Sequence, residues 1–244
     1  MGPGLILAVA AALGAQAPAM VGEATGPSCR EAAGNWIEDS SEAALEVAVA
    51  PVAGPRALLA LRARSGDRLL VVRGGDFSGA DFRRAQLHNI CFVETNLAGS
   101  DWRGAEAAGI GFIRTDLTRA DLRGARMAGV LLRNPDMTGV DATGADFSGG
   151  RIDGNWHGSF EGLRLDRADL RGFVFDCGIT LGDNCTSAWG ISLRGANLAR
   201  ARLSSAWFQA DLTGARIEET EVGLHQLLDL RPALIAASVL VRGG

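Results

Sequence analysis

The sequence predicts an all-β fold in which the chain coils as a solenoid. The first observation is an apolar residue at every fifth position, as in residues 115–129, TDLTRADLRGARMAG, where Leu117, Leu122 and Met127 are the centres of three groups of five. Five residues advance about 500° around an α-helix, and an odd step alternates between the two faces of a strand. Neither element keeps these centres on one side, whereas a chain that bends once per five residues does.

Two further observations support the bending chain. From Phe77 to Ile152 all sixteen successive fifth positions are apolar, with Ala107 and Ala142 as the small ones. Two residues after each centre glycine is frequent, from Gly79 onward, which suits a corner that needs unusual backbone dihedral angles. The chain contains 33 glycines, in agreement with a backbone that turns often.

The repeat units resemble the A(D/N)LxG pattern of the pentapeptide-repeat protein family. The matching units are ADFRR at 80–84, ADLRG at 120–124, ADLRG at 168–172, ANLAR at 196–200 and ADLTG at 210–214. The resemblance implies that family's right-handed quadrilateral β-helix, in which four pentapeptides make one square turn. Residues twenty apart then stack, so we expect Phe82, Trp102, Leu122 and Ala142 in one interior column.

Residues 1–19 are interpreted as a secretory signal peptide. They carry no charged side chain, contain an apolar run from Leu5 to Leu13, and end in Ala17-Pro18-Ala19, which has the A-x-A form of a signal-peptidase site. Cleavage then falls before Met20. A transmembrane anchor is the alternative, although the run is shorter than the ~20 apolar residues that a bilayer requires.

The remaining chain divides into three parts. Residues 20–74 are interpreted as a β-rich N-terminal cap, from an alternating pattern at 43–49 and apolar runs at 58–61 and 69–72. Residues 75–224 form the predicted pentapeptide-repeat β-helix, which irregular segments interrupt at 153–159 and 177–190. The centres resume three residues displaced after the first interruption, and the last run, from Leu212, begins one residue early.

Residues 225–244 are interpreted as a C-terminal cap or a dimerisation segment. The stretch from Ala233 to Val241 is too apolar to face water, so it either covers the last turn or joins two chains. Resemblance to the family's dimeric members raises the second alternative.

Four cysteines are consistent with an oxidising compartment. Cys177 and Cys185 flank the short stretch GITLGDN, and closing so small a loop contributes roughly 2–3 kcal/mol in the chain-entropy model. Cys29 and Cys91 would then connect the N-terminal segment to the solenoid. Free buried thiols in a cytosolic protein are the alternative, and no CxxC motif or histidine cluster indicates a metal site.

Aspartates recur every twenty residues on the surface of the predicted rod. One set is Asp81, Asp101, Asp121 and Asp141, and another is Asp76, Asn96, Asp116 and Asp136. They resemble the acidic rod that the family's quinolone-resistance members present to DNA gyrase. Alternatively, a short polar side chain here bonds the turn backbone. With 20 acidic and 16 basic side chains over 76–224, alternating charges largely cancel beyond a Debye length of ~8 Å, which favours the second interpretation.

Sequence motifs for catalysis are absent. All 24 basic residues are arginine, which excludes Schiff-base and P-loop lysine chemistry. His88, His157 and His225 fall in different regions without metal-ligand spacing, and GxSxG, HExxH and GxGxxG do not occur. We therefore expect no catalytic residue, no cofactor site and no metal site. Trp156, His157 and Trp189, in the irregular segments, are the candidate interaction residues, since function is often grafted where a repeat is interrupted. A purely structural bulge is the alternative.

The sequence favours a non-catalytic, exported protein, periplasmic or secreted, that serves as a structural or protein-interaction module. We expect an unidentified protein partner, no nucleic acid and no membrane span after signal cleavage, with a homodimer through the C-terminal segment as an open alternative. A cytoplasmic DNA mimic that binds DNA gyrase is a second interpretation, which predicts inhibited supercoiling and an uncleaved N-terminus. An envelope enzyme with a site in the irregular loops is a third, which predicts a turnover abolished by His157→Ala.

Overall fold

The computed structural model describes residues 19–24, 29, 48–52, 54–65, 69–153, 159–175, 190–203, 210–223 and 240–242. Between residues 69 and 223 the described backbone coils as a four-sided β-solenoid. Its regular elements, in chain order, are β1 (Ala19–Ala24), β2 (Ala48–Val52), α1 (Pro55–Ser65), β3 (Leu69–Arg73), β4 (Ile90–Val93), β5 (Gly111–Ile113), β6 (Leu131–Arg133), β7 (Arg151–Asp153), β8 (Val174–Phe175), β9 (Arg202–Leu203), β10 (Glu221–Gly223) and β11 (Leu240–Arg242).

One side of the coil, the strand side, is a continuous sheet. Its strand order is β11-β10-β9-β8-β7-β6-β5-β4-β3-β1-β2. Every pair from β3 to β11 is parallel, because successive turns of a coil run in the same direction past one side. At the N-terminal end β1 pairs antiparallel with both β2 and β3.

The other three sides are columns of single-residue bridges between turns. The first side is Asp76, Asn96, Asp116, Asp136 and Ser159; the second is Asp81, Asp101, Asp121, Asp141, Arg164, Ser192 and Asp211; the third is Gln86, Glu106, Arg126, Asp146, Asp169, Asn197 and Arg216. The regular step along a column is twenty residues. Asp136 pairs with Ser159, three residues beyond that step, and Ser192 pairs with Asp211, one residue short of it. The predicted displacement by three residues and the early last run are therefore confirmed.

The interior is filled by the residues at the centres of the pentapeptides. All sixteen centres from Phe77 to Ile152 are buried, including Leu122 at 1% exposure. Phe82 and Trp102 stack on adjacent turns with ring centroids 4.4 Å apart, which confirms the predicted column. The Trp102 amide donates to the Asp121 carbonyl at 2.7 Å, and the Trp102 carbonyl accepts from the Ala105 amide at 2.9 Å. Each pentapeptide thus forms a β-turn at one corner of the coil and hydrogen-bonds to the pentapeptide stacked on it in the next layer.

The N-terminal cap is not wholly β, which corrects the interpretation of residues 58–61. They lie in α1, which begins at Pro55, a residue suited to the first helical position because it lacks an amide hydrogen. Leu58 is fully buried and joins the core of the coil, so α1 packs on it. Arg62 Nη1 donates to the His88 carbonyl at 3.1 Å.

The solenoid sheet also extends beyond the predicted bounds of 75–224. β3, inside the predicted cap, already pairs in parallel with β4. Beyond the other bound, β11 adds a parallel strand to β10, so part of residues 225–244 continues the sheet. Residues 224–239, which include most of the apolar stretch that begins at Ala233, lie outside the described residues.

Candidate interaction surfaces

The interaction residues predicted from the irregular segments lie outside the described residues. Trp156, His157 and Trp189 belong to this group, and so do Cys177 and Cys185. The bridges on either side show where the extra residues enter the coil, because Asp136 pairs with Ser159 and Arg164 pairs with Ser192. These segments remain predicted interaction loops.

The second side carries an interleaved ladder of aspartate and arginine. Arg83 holds Asp81 with two hydrogen bonds, Nε to Oδ1 at 2.8 Å and Nη2 to Oδ2 at 2.6 Å. The same guanidinium reaches up one turn, with Nε 3.6 Å from Asp101 Oδ2. Arg103 repeats the arrangement with Asp101 and, at 3.5 Å, with Asp121. We call this set, closed by Arg123 on Asp121, the Asp–Arg ladder.

The aspartates of the ladder also bond the backbone. Asp81 Oδ1 accepts from the Arg83 amide at 3.0 Å, and Asp101 and Asp121 do the same for Arg103 and Arg123. The side-chain hydrogen bonds from Arg103 and Arg123 hold the pKa of Asp101 and Asp121 below the usual range of an aspartate. The arrangement confirms that these aspartates serve the turn, and each of the three is paired with an arginine.

The first side has the same turns without the arginines. Asp116 Oδ1 accepts from the Thr118 amide at 2.8 Å, and Asp136 Oδ1 from the Thr138 amide at 3.0 Å. Among the described residues neither carboxylate has an arginine partner. The carboxylates of Asp116 and Asp136 therefore carry negative charge that no arginine of the described residues neutralises.

The third side and the C-terminal turns are joined by ion pairs along the axis. Glu106 pairs with Arg126, one turn further on. Near the C-terminal end Arg200 Nε lies 2.8 Å from Glu219 and Arg202 Nε lies 3.0 Å from Glu221. Pairs as exposed as Glu106–Arg126 and Arg200–Glu219 contribute about 0–1 kcal/mol each, so they add little to the total stability.

The strand side carries a second apolar cluster outside the interior. Cys29 and Cys91 are joined by a disulfide, with Cα atoms 5.5 Å apart, and both are buried. They are the pair that sequence reasoning left to connect the N-terminal segment to the solenoid. Around them lie outward-facing side chains of β3–β6, which we call the outer strip: Leu69, Val71, Cys91, Val93, Ile113 and Leu131.

Gly111 is a position beside the disulfide that sequence reasoning missed. It is the neighbour of Cys91 in the β4–β5 pairing, and a side chain at Gly111 would overlap the Cys29 sulfur. The signal was available, because glycine interrupts an otherwise apolar column of Val71, Cys91 and Leu131.

The described residues offer little for chemistry. No group of three or more His, Cys, Asp or Glu side chains lies close enough to hold a metal ion within them. His88 sits on the third side, partly buried, and its carbonyl accepts from Arg62. Nor does any helix in the described ranges have the length and apolarity to cross a bilayer.

Comparison with known proteins finds a family match and similar solved structures. Residues 72–99 and 112–149 match the family model of pentapeptide repeats, in eight copies. No match was found among the curated proteins. A trypsin-treated form of QnrB1, a plasmid-mediated fluoroquinolone resistance protein, is similar at 19% identity and a TM-score of 0.41, over 70% of this chain and 82% of that chain. HetL, a pentapeptide-repeat protein involved in heterocyst differentiation regulation in the cyanobacterium Nostoc sp. strain PCC 7120, is 23% identical with a TM-score of 0.21, over 61% and 84% of the two chains.

Proposed function

Because this chain belongs to the pentapeptide-repeat family, we propose that it is an exported, non-catalytic module that presents the sides of its rod to another protein. The observation that carries the proposal is the Asp–Arg ladder. Arg83, Arg103 and Arg123 are about half exposed, yet each is fixed by hydrogen bonds to its own aspartate. A surface whose side chains are already ordered loses less conformational entropy when a partner binds.

A non-catalytic role is supported by the use that the fold makes of its polar groups. The interior centres are apolar, and the surface aspartates accept hydrogen bonds from turn amides. A general acid or base at neutral pH needs a pKa near 7. In the ladder the pKa of Asp101 and Asp121 is lowered, which is the opposite direction.

Export is supported by the predicted signal peptide and by its position relative to the fold. Cleavage before Met20 would leave Met20–Ala24, and these five residues provide the whole pairing of β1 with β3. Only the pair between Ala19 and Val52 would be lost. Removal of residues 1–19 is therefore compatible with the N-terminal end of the sheet.

Intact-mass spectrometry of the chain recovered from cells, with and without reductant, tests export. We expect a chain that begins at Met20 and gains hydrogens on reduction. A chain that begins at Met1 with four free thiols would overturn the exported location.

Photo-crosslinking tests the interaction role. A photoreactive residue is placed on the first side at Thr118, on the second side at Thr143 or on the third side at Ala108, and the cells are irradiated. We expect a discrete adduct from one side and little from the other two, because a partner that docks on a flat rod covers one side. If all three positions give no adduct, or all give the same adducts, the interaction role is wrong.

A DNA mimic that binds DNA gyrase is the second candidate, favoured by the acidic first side alone. It predicts that the full chain inhibits supercoiling and that Asp116→Asn with Asp136→Asn relieves the inhibition. Asp101→Asn is the matched control, since Arg103 already pairs with that carboxylate. Absence of inhibition at a stoichiometric excess of the chain removes this candidate.

A further inference from the structure

The outer strip lies on the outward face of the strand side, which an isolated coil would expose to solvent. Leu70 and Val72 of β3 face the interior, so Leu69 and Val71 face outward. The six residues of the strip are nevertheless at most 4% exposed. On the next turn Leu131 of β6 pairs with Arg151 of β7, which is only partly buried. The apolar strip therefore ends at β6. The described contact that closes it is Cys29.

Gly111 makes room for that contact. The position lies one turn beyond Cys91, and a Cβ there would overlap Cys29 Sγ and lie 3.1 Å from Cys29 Cβ. Gly111 has no left-handed backbone angle that would require glycine, in contrast to the corner glycines. Glycine costs about 0.5–1 kcal/mol in a strand relative to alanine. Space for the disulfide is therefore the reason that the structure gives for glycine at this position.

We propose that Cys29, Cys91 and Gly111 form an oxidation-dependent lock that fastens the N-terminal cap to the outer strip. Capping of the solenoid is then completed where thiols are oxidised, so in cells the lock rests on the exported location proposed above. The lock also explains why both cysteines are buried within an apolar cluster. A disulfide with no access to water is protected from exchange once it has formed.

The chemistry requires a disulfide-bonded oxidant, RSSR. The thiolate of one cysteine attacks RSSR, releases RS⁻ and leaves a mixed disulfide on its own sulfur. The second cysteine thiolate then attacks that cysteine sulfur and releases the other RS⁻. The two protons of the cysteine thiols end on the two leaving groups, so the protein loses two electrons and RSSR becomes two RSH.

The lock is tested on the purified full chain with oxidised glutathione as RSSR. We expect Cys29 and Cys91 to link in the wild type, as read by peptide mapping of the non-reduced chain. Gly111→Ala fills the space and is expected to slow this link at least tenfold. Gly111→Ala should also lower the melting temperature of the wild-type background. In a Cys29→Ala background the overlapping sulfur is absent, so Gly111→Ala should lower the melting temperature much less. Equal oxidation rates in the wild type and Gly111→Ala would overturn the lock.

Reduction gives a second, independent measurement. Opening a disulfide across 62 residues is expected to lower the melting temperature by on the order of 10 °C and to speed hydrogen exchange of β4. Cys29→Ser is the control: with this bond already absent, reductant should not speed hydrogen exchange of β4, and any change of melting temperature that remains belongs to the predicted pair Cys177 and Cys185. If the wild type shows no change on reduction, the lock is wrong.

The two proposals fail separately. A chain that begins at Met20 in cells but never links Cys29 to Cys91 in the glutathione assay contradicts the lock alone. A chain that links readily in that assay but begins at Met1 in cells contradicts export alone.

Discussion

Leu122→Ala tests the geometry of the coil. Leu122 is 1% exposed, and the turns on either side of it carry Trp102 and Ala142 at the same interior position. The Leu122 amide donates to the Asp141 carbonyl at 2.7 Å, and the Asp121 amide donates to the Ser100 carbonyl at 2.9 Å. Because these bonds hold the turns apart, the interior cannot collapse into the space that alanine leaves. We therefore expect a loss of about 3–4 kcal/mol in the free energy of unfolding.

Leu212→Ala is the matched control for this substitution. Leu212 is the centre of an almost identical unit, ADLTG instead of ADLRG, yet it lies near the C-terminal end and is only partly buried. A large-to-small substitution there removes less packed surface, so we expect a loss of about 1–2 kcal/mol. Urea unfolding followed by circular dichroism measures both values. Equal losses would refute the view that stacking between turns, and not the local motif, supplies the stability.

Three further substitutions have expected outcomes. Ser100→Ala removes the buried acceptor of the Trp102 indole N–H, which donates to Ser100 Oγ at 2.7 Å, and should cost about 1–3 kcal/mol of unfolding free energy in urea titrations. Gly109→Ala should cost more than the ~1–2 kcal/mol of a left-handed angle alone, because its φ is +68° and the added carbon would lie 2.8 Å from a side-chain oxygen of the preceding turn. Arg123→Gln should raise the pKa of Asp121 toward the usual range of an aspartate, which carbon-13 NMR titration of the carboxyl group measures.

Each of these has a control in the same chain. Ser100→Ala in a Trp102→Phe background should be less costly, because the indole N–H is gone. Gly129→Ala lies at the same corner, with φ +73° and no atom within 4 Å of the added carbon, so it isolates the backbone term. Equal losses for the two glycines, or an unreduced loss for the double variant, would contradict the contacts assigned.

For Arg123→Gln the sign follows from the lowered pKa. A carboxylate whose pKa is lower in the folded chain contributes stability above the unfolded pKa of ~3.9, and that stability is lost as the pH falls through the folded pKa. The substitution should therefore reduce the free energy of unfolding near neutral pH. The difference in this free energy between the wild type and the variant should become smaller in acid. Asp169, held by Arg171, should titrate unchanged, and a shift there would indicate a global change instead.

The interior of the coil could be predicted from the sequence because one rule repeats. Each centre is held by the same β-turn and the same bond to the next layer. Once the family resemblance implied four pentapeptides per turn, Phe82 and Trp102 could be placed on adjacent turns by counting twenty residues. Insertions were visible in the sequence as shifts in the register of the apolar centres. The helix α1 was missed because its Leu58 and Arg62 were read as part of a β-rich cap, although they have the spacing of a helix.

The outer strip could not be predicted in the same way. The period of five reports which residues fill the interior, and it carries no information about what covers the outward face of the strand side. Val71 and Ile113 therefore carried no information about what covers them, and only the cysteines indicated a contact over that side. A contact between segments far apart in the chain leaves no period.

The aspartate columns show how the same sequence feature has two meanings. Within a side, residues i and i+2 project next to each other, so an arginine two positions after an aspartate reaches that carboxylate, as in Asp121–Arg123. Asp116 is followed at that position by Thr118, whose amide bonds the carboxylate and leaves its charge unpaired among the described residues. The residue at i+2 therefore decides whether an aspartate is paired within its own pentapeptide, although Asp141, followed by Thr143, is paired by Arg164 of the next turn at 3.2 Å. A count of acidic residues alone would treat Asp116 and Asp121 as equal, whereas the structure pairs Asp121 with Arg123 and bonds Asp116 to a backbone amide alone among the described residues.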